Sequence, residues 1–349
     1  MVCSESIADG GGTRGRVCRR CLNGFCVGTD GTIIRTTGGG TTWTLQNSGT
    51  TKALSSVFFV DANRGWIVGM FFGVLRTTNG RRSWGYEPTG VNHWFEDVCF
   101  VDAEKGWIVG DGAILATRDG GATWETCTPG ADGFFFGFGV SFVDAGTGWV
   151  ASAIVQGGNW EAAEGAILKT TDGGLTWTEQ TSGILNLPYS GVSFVNANMG
   201  WTVGRTTILA TADGGTTWEP QSTGTPVDLV SVFFVDANRG WIVGYAGNNG
   251  TIFATADGGA TWVPQTSGTT TTLRRVSFVD ASTGWIVGSM GWGDAGTILA
   301  SKDGGETWTL QTTETHRALF DIVFVDANTG WVVGEGGTIL KTTTGGESR

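Results

Sequence analysis

Residues 232–265 read VFFVDANRGWIVGYAGNNGTIFATADGGATWVPQ, and close copies of this stretch recur along almost the whole chain. The core of each copy is a Gly-Trp pair followed by a hydrophobic residue, Val and Gly. It is found at Trp66, Trp107, Trp201, Trp241, Trp285 and Trp331, with looser copies at Trp149 and Phe25. From Trp66 onward, successive core positions are 41, 42, 52, 40, 44 and 46 residues apart. A repeat of this length accommodates four short strands and their turns, so the sequence predicts one repeated array rather than several unrelated domains.

Each copy divides into four predicted strands, which we call a, b, c and d. Strand a has the form Val-x-Phe-Val-Asp, strand b is the Gly-Trp segment, strand c resembles Thr-Ile-Leu-Ala-Thr, and strand d begins at a Thr-Trp pair. Strand a alternates with period 2, which indicates a strand, and no segment sustains the 3.6-residue apolar period of a helix. The predicted fold is therefore an all-β propeller of four-stranded antiparallel blades.

The number of blades follows from counting these strands. Eight b–c pairs are present, but only seven clear a strands and seven clear d strands, so we favour eight blades, with seven as the alternative. The exposed edge of an unfinished sheet is costly, so we expect the two ends of the array to meet. Residues 1–23 form an irregular N-terminal segment that would contribute a closing strand, because residues 8–13 echo the start of a strand d. Residues 24–349 are predicted to form a single propeller domain.

The turn between strands c and d carries the most specific motif, Ser/Thr-x-Asp-x-Gly-x-Thr-Trp. It is similar to the Asp-box of BNR-type propellers. An Asp carboxylate can accept hydrogen bonds from backbone N–H groups of its own turn, and Gly permits the unusual dihedral angles, so we interpret the motif as structural. Two early copies are degraded, with Gly38 and Asn79 in place of Asp. The five predicted structural aspartates are Asp119, Asp172, Asp213, Asp257 and Asp303.

Composition argues against several classes of function. The formal net charge of −11 disfavours non-specific nucleic-acid binding, which needs a basic surface. The six cysteines form no regular framework; Cys18, Cys21 and Cys26 suggest zinc, but no second clean pair follows, so unpaired thiols or one disulfide are favoured. We therefore expect no metal and no cofactor. Neither a membrane-spanning run nor a signal peptide is visible in the sequence, so membrane insertion is not expected and the compartment stays open.

Loop lengths indicate which end of each blade carries the function. The a–b and c–d turns are almost constant, whereas the b–c connections vary and, with the d–a connections, are rich in aromatic residues and arginine. Insertions in a repeat array usually map to the working surface. Aromatic residues that merely cap the blades are the alternative explanation. The predicted partner-binding residues are Trp94, Phe95, Trp160, Tyr189, Arg205, Tyr245, Arg274, Arg275, Trp292 and Arg317.

The joint motif, Val-x-Phe-Val-Asp, then Gly-Trp-Ile-Val-Gly, then Gly-Thr-Ile-Leu-x-Thr-Thr-Asp-Gly-Gly-x-Thr-Trp, resembles the repeats of photosystem II stability and assembly factors over residues 25–344. The resemblance implies a non-enzymatic propeller that binds a partner protein during assembly of a membrane complex. It also implies an arginine-rich binding surface, for which Arg205, Arg274, Arg275 and Arg317 are candidates. We expect a monomer with an unidentified protein partner.

Two other classes of function remain open. Asp-box propellers also resemble sialidases and glucan hydrolases, but Tyr86, Tyr189 and Tyr245 lack the setting of a sialidase nucleophile. The loop acids Glu161, Glu164 and Asp294 would have to serve a glucan hydrolase. In a glycan-binding propeller, Trp94, Trp160 and Trp292 would be stacking platforms, although binding residues of such a protein should repeat from blade to blade. The prediction is therefore that the protein is not an enzyme.

Overall fold

In the computed structural model, the described residues are 2–4, 24–27, 30–36, 42, 44–61, 63–70, 73–79, 83–127, 134–155, 164–180, 191–289, 295–311, 315–324, 326–335 and 338–346. Their regular structure is β-strand, as the period-2 patterns predicted. None of these residues belongs to a helix long and apolar enough to cross a membrane.

The strands form successive antiparallel sheets in chain order. The first sheet comprises β1 (Val2–Ser4), β2 (Gly24–Val27), β3 (Ile33–Thr36) and β4 (Thr44–Gln46). The second comprises β5 (Leu54–Phe59), β6 (Gly65–Gly69), β7 (Val74–Thr77) and β8 (Gly85–Glu87). The third comprises β9 (Phe95–Phe100), β10 (Gly106–Gly110), β11 (Ala113–Thr117) and β12 (Glu125–Thr126). The fourth comprises β13 (Phe134–Phe142), β14 (Gly148–Val155), β15 (Glu164–Thr170) and β16 (Thr178–Gln180).

The remaining sheets repeat this order. The fifth comprises β17 (Gly191–Phe194), β18 (Gly200–Gly204), β19 (Thr207–Thr211) and β20 (Glu219–Gln221). The sixth comprises β21 (Asp228–Phe234), β22 (Gly240–Ala246), β23 (Asn249–Thr255) and β24 (Val263–Gln265). The seventh comprises β25 (Leu273–Phe278), β26 (Gly284–Gly288), β27 (Thr297–Ser301) and β28 (Thr309–Gln311). The last comprises β29 (Leu319–Phe324), β30 (Gly330–Gly334) and β31 (Ile339–Thr342).

The four-stranded antiparallel blade is therefore confirmed, but the favoured count of eight such blades is wrong. Within the described residues, seven sheets have four strands, which is the alternative count, and the set β29–β31 has three. The physical reason lies in the N-terminal strand. Val2–Ser4 pairs with Gly24–Val27 and completes the first sheet as its strand a, so it is not a strand d for the last set. Residues 8–13, proposed as a decayed strand d, lie outside the described residues.

The chain divides into two compact units, each with its own packed sheets. The first unit contains Val2–Gly200 and Thr211–Trp218, and the second contains Trp201–Ala210 and Glu219–Arg349. The division passes through the fifth sheet. That residues 24–349 form one domain stays a prediction.

The Gly-Trp core explains how neighbouring sheets pack. The indole of Trp241 is 1% exposed and stacks on the ring of Phe278 in the next sheet, with ring centroids 3.4 Å apart. Its Nε1–H donates a hydrogen bond to the carbonyl of Gly304, in the c–d turn of that sheet, at 2.9 Å. The preceding Gly240 is required because a Cβ there would lie 2.5 Å from the ring of Phe234. The same stack and hydrogen bond recur at Trp66, Trp107, Trp149, Trp201 and Trp285.

The Asp-box aspartates bond within their own turns. Asp303 accepts a hydrogen bond from the Thr307 N–H at 3.0 Å, a second from the Thr307 hydroxyl at 2.5 Å, and a third from Ser301 Oγ at 2.8 Å. Gly304 and Gly305 have φ angles of +78° and +92°, which only Gly adopts without strain. The hydrogen bonds from Thr307 lower the pKa of Asp303 to about 2. These contacts lie at what we call the box end of a sheet, where its a–b and c–d turns lie; the opposite end, with the b–c and d–a connections, is the loop end.

Candidate partner-binding loop end

A β-bulge recurs at the loop end, where strand a begins. The pairing of strands a and b shifts register between Leu229 and Ser231, between Leu273 and Arg275, and between Leu319 and Asp321. A bulge leaves one extra residue outside the regular pairing and re-aims its side chain. In the seventh sheet that residue is Arg274, so a feature of the fold presents an arginine at the predicted surface.

Arg274 and Arg275 differ in their surroundings although they are adjacent. The Arg274 guanidinium is half-buried, lies 5.8 Å from the centroid of the Phe320 ring, and donates from Nε to Ser289 Oγ at 3.2 Å. Arg275 has a side chain 59% exposed, and its Nε lies 3.4 Å from Asp321 Oδ1. Burial raises the pKa of Asp321, and the positive charge of Arg275 opposes that shift. Arg275 is therefore a solvent-accessible cation beside a partly buried carboxyl group.

Arg205 and Arg317 also lie at the loop ends of sheets in the second unit. Arg205 has a φ of +39°, unusual for a residue other than Gly, and its carbonyl accepts a hydrogen bond from the Leu229 N–H at 2.6 Å. Its side chain is 66% exposed, with Nε 3.8 Å from Asp228 Oδ1. The Arg317 side chain is 59% exposed and lies 4.0 Å from Glu335 Oε1. Backbone contacts hold both residues while their guanidinium groups point to solvent.

The aromatic candidates differ in how deeply their side chains are buried. Trp94 is partly buried and donates from Nε1 to Ser55 Oγ at 3.1 Å, and Tyr245 is partly buried at the end of β22. Phe95 is 0% exposed and packs in the core with Val98 and Phe100, so its assignment to the binding surface is wrong. Trp160, Tyr189 and Trp292 lie outside the described residues.

The prediction missed an acidic group at the loop end of the third sheet. Burial raises the pKa of Glu96, and the charges of Asp97 and Asp111 raise it further. Asp97 accepts hydrogen bonds from Ser56 Oγ at 3.2 Å and from the Val140 N–H at 3.3 Å, and so links the strands a of three successive sheets. The sequence does contain a sign of this group, because Glu96 and Asp97 are adjacent acids at the start of strand a, where the second sheet has Ser55 and Ser56.

No candidate metal centre appears among the described residues. Within that part of the chain, no group of three or more His, Cys, Asp or Glu residues could hold a metal ion. Of the loop acids considered for a glucan hydrolase, Glu161 and Asp294 fall outside it, and Glu164 is the first residue of β15, opposite Ile154. Burial raises the pKa of the Cys99 thiol to about 12 and that of Cys127 to about 11, so neither is a reactive thiolate at neutral pH.

The family of photosynthesis system II assembly factor YCF48 matches residues 218–309 and 265–349. The C-terminal repeats thus confirm the resemblance inferred from the motifs. A structure described as YCF48 bound to D1 peptide is 22% identical, with a TM-score of 0.61, covering 84% of this chain and 94% of that chain. YCF48 from Cyanidioschyzon merolae is also 22% identical, with a TM-score of 0.60, covering 83% and 95% of the two chains.

One of the structures with lower sequence identity is that of an enzyme. The GH74 xyloglucanase from Xanthomonas campestris is 12% identical, with a TM-score of 0.52, covering 94% of this chain and 64% of that chain. Identities this low establish a shared propeller fold and nothing about activity. No match was found among curated protein sequences.

Proposed function

We propose that this propeller is a non-enzymatic scaffold that binds a segment of a partner protein at the loop ends of its second unit. The observation that carries the proposal is the set of exposed arginines there. Arg205, Arg275 and Arg317 have side chains 59–66% exposed; Arg205 and Arg317 stand on a b–c and a d–a connection, and Arg275 lies near the start of β25. Arginine is enriched among the residues that dominate protein interfaces, where truncation often costs about 2 kcal/mol or more.

The existing ion pairs of these three arginines determine how easily a partner protein can take the place of the carboxylates. The three arginines lie 3.4–4.0 Å from their carboxylate neighbours, which is longer than an ordinary N–H···O hydrogen bond. The Arg205–Asp228 pair is exposed on both sides, and exposed ion pairs contribute about 0–1 kcal/mol, whereas Asp321 and Glu335 are only 18% and 16% exposed. The Arg205 guanidinium can therefore turn to a partner's carboxylate or backbone carbonyl at little cost. A planar guanidinium can bind a carboxylate through two hydrogen bonds.

Aromatic side chains lie beside these arginines and supply the apolar surface that an interface also needs. Arg274 lies over Phe320, and the partly buried Tyr245 stands in the neighbouring sheet, so aromatic and cationic groups share this region of the second unit. The relative described as bound to D1 peptide suggests an extended segment as the ligand class. By resemblance to the assembly-factor repeats, the partner of this chain would be a subunit of a membrane complex under assembly, bound by a monomeric propeller.

The test compares charge reversals at the two ends of the sheets. Arg275→Glu and Arg317→Glu, made separately, should each weaken binding of a fluorescently labelled D1 peptide, and together at least about tenfold, or about 1.4 kcal/mol, in an anisotropy titration. Lys302→Glu makes the same change of charge as either single variant at the box end of the seventh sheet and should bind within about twofold of the wild type. The melting temperatures of all variants are measured in parallel.

A capture experiment covers a partner other than D1. Wild-type and variant proteins are immobilised, exposed to lysate of the source organism, and the bound proteins are quantified by mass spectrometry. A partner retained by the wild type and the Lys302 variant but lost by the arginine variant supports the proposal. Loss of the partner only on Lys302→Glu would place the binding surface at the box end.

A further inference from the structure

The last sheet differs from the other seven in its outer edge. Within the described residues, no strand d pairs with β31, whereas each of the other seven sheets has a strand d beside its strand c. All four residues of β31 are partly exposed, but β27, the strand c of the seventh sheet, is buried along its whole length. In this part of the chain, β31 is thus the one strand c whose outer edge has no neighbouring strand.

The backbone groups of Ile339 and Lys341 point to this open edge. Ile339 lies opposite the last valine of strand b, as Ile114 does in the third sheet. The Ile114 carbonyl turns away from strand b and accepts a hydrogen bond from the Cys127 N–H, on the strand-d side, at 2.9 Å. Because backbone groups alternate in direction along an antiparallel strand, Ile339 and Lys341 direct their N–H and C=O groups to the side where a strand d would lie.

The turn that follows β31 holds this strand in the same geometry as the other strands c. Gly345 and Gly346 have φ angles of +69° and +91°, and the Gly346 N–H donates to Thr342 Oγ1 at 2.8 Å. The indole N–H of Trp285 donates to the Gly345 carbonyl at 3.0 Å, as in the other sheets. The edge is therefore already arranged to accept a strand.

Lys341 adds a positive charge to the open edge. Four of the eight repeats have Ala at the equivalent position, namely Ala116, Ala210, Ala254 and Ala300. In the second sheet this position is Arg76, whose guanidinium lies 3.8 Å from the carboxylate of Glu87 in strand d. Glu87 lies opposite Val74, which holds the place of Ile339. An acidic residue opposite Ile339 would therefore come within reach of the Lys341 ammonium group.

We propose that the open edge of β31 binds an extended segment of a partner protein, which pairs as the fourth strand of the last sheet and places an acidic residue opposite Ile339. In strand addition of this kind, main-chain hydrogen bonds supply affinity and side-chain contacts supply specificity. Ile339 and Lys341 each offer one N–H and one C=O, and the charge of Lys341 selects the acid. The edge is separate from the loop-end arginines, so the inference does not depend on the function proposed for them.

Hydrogen exchange of the full chain first measures whether the edge is open. The amides of Ile339 and Lys341 should exchange at least about tenfold faster than those of Ile298 and Ala300, which β28 covers in the seventh sheet. Equal protection in the protein alone would show that a second copy, or residues outside the described ranges, already covers the edge. That result would overturn the proposal.

The probe for binding is a capped, fluorescently labelled peptide with the sequence of residues 83–90, which include strand d of the second sheet and its Glu87. It should bind the wild-type chain with a dissociation constant on the order of 0.1–1 mM and slow the exchange of the Ile339 and Lys341 amides. The same peptide with Glu87→Gln should bind about threefold more weakly, because the cross-strand charge pair is lost.

Two variants of the protein test the backbone and the charge separately. Ile339→Pro removes an outward N–H and should weaken peptide binding at least about tenfold. Its matched control is Leu310→Pro, at a strand-d position where the fifth and sixth sheets have Pro220 and Pro264, and this variant should bind like the wild type. Lys341→Glu changes a partly exposed side chain and should abolish the preference for the Glu peptide over the Gln peptide.

The melting temperatures of all variants are measured in parallel. Peptide binding that protects the amides of Ile339 and Lys341, together with loss of the Glu preference in Lys341→Glu, establishes the site. Absence of binding to the wild type at about 5 mM peptide, protection of other amides only, or an equal loss of binding in Leu310→Pro overturns the proposal.

Discussion

Replacement of Trp241 by Phe tests whether the recurring indole is what joins neighbouring sheets. Trp241 is 1% exposed, stacks on Phe278 and donates to the Gly304 carbonyl. Phe keeps an aromatic ring but removes the N–H and part of the indole. The chain already contains this exchange at Phe25, whose ring centroid lies 4.8 Å from that of Phe59 at a 32° tilt, rather than in a 3.3–3.6 Å stack.

The expected loss follows from two contributions. The partly buried carbonyl of Gly304, left without its donor, costs about 1–3 kcal/mol. The two or three ring atoms lost from a packed interior cost about 1–2 kcal/mol more. The free energy of unfolding should therefore fall by about 3 kcal/mol, measured by urea titration with tryptophan fluorescence and far-UV dichroism as independent probes.

A matched pair of controls separates the two contributions. Leu310→Ala changes a side chain that is 61% exposed and should shift stability by less than about 0.5 kcal/mol. Benzothienylalanine at position 241 keeps the shape of the indole without its N–H and should reproduce only the hydrogen-bond loss. A Trp241→Phe variant as stable as Leu310→Ala would refute the view that this indole links the sheets.

Three further predictions concern single positions. Gly240→Ala should destabilise the protein by at least about 2 kcal/mol in the same urea assay, because the added Cβ would meet the Phe234 ring; normal stability would contradict the close approach. Cys99 and Cys127 should resist iodoacetamide at pH 8 in the native state, because burial raises their pKa values to about 12 and about 11. Both should react in 6 M urea, as judged by peptide mass spectrometry. Rapid labelling of the native protein would show that they are accessible. The pKa of Asp303 is lowered in the folded state to about 2, so its contribution to stability is present above about pH 4 and is lost as the pH falls through 2. Asp303→Asn should therefore flatten that part of the stability–pH profile. An unchanged profile would mean that this carboxylate contributes nothing.

The repeat pattern was enough to predict the local structure. Strands a to d follow from period-2 alternation and from the turn residues between them, which act within a few residues of one another. The Asp-box was correctly located as a self-contained turn for the same reason: Asp303, Ser301 and Thr307 are neighbours in sequence. Had the repeats been aligned at the start of strand a, Phe95 would have fallen with Leu54, Leu229 and Leu273, which are core residues.

Contacts between sheets could not be read in this way, because the indole stacks and hydrogen bonds join residues from 33 (Trp201 and Phe234) to 66 (Trp107 and Gly173) positions apart. The sequence by itself determined the blade, its turns and the end at which loops and arginines accumulate. Only the tertiary structure decided that Val2–Ser4 completes the first sheet, that Arg274 lies over Phe320, and that Asp97 links three strands. The difference is physical: backbone periodicity and turn chemistry are local, whereas a guanidinium or an indole N–H takes whichever partner the packing of a neighbouring sheet brings within reach.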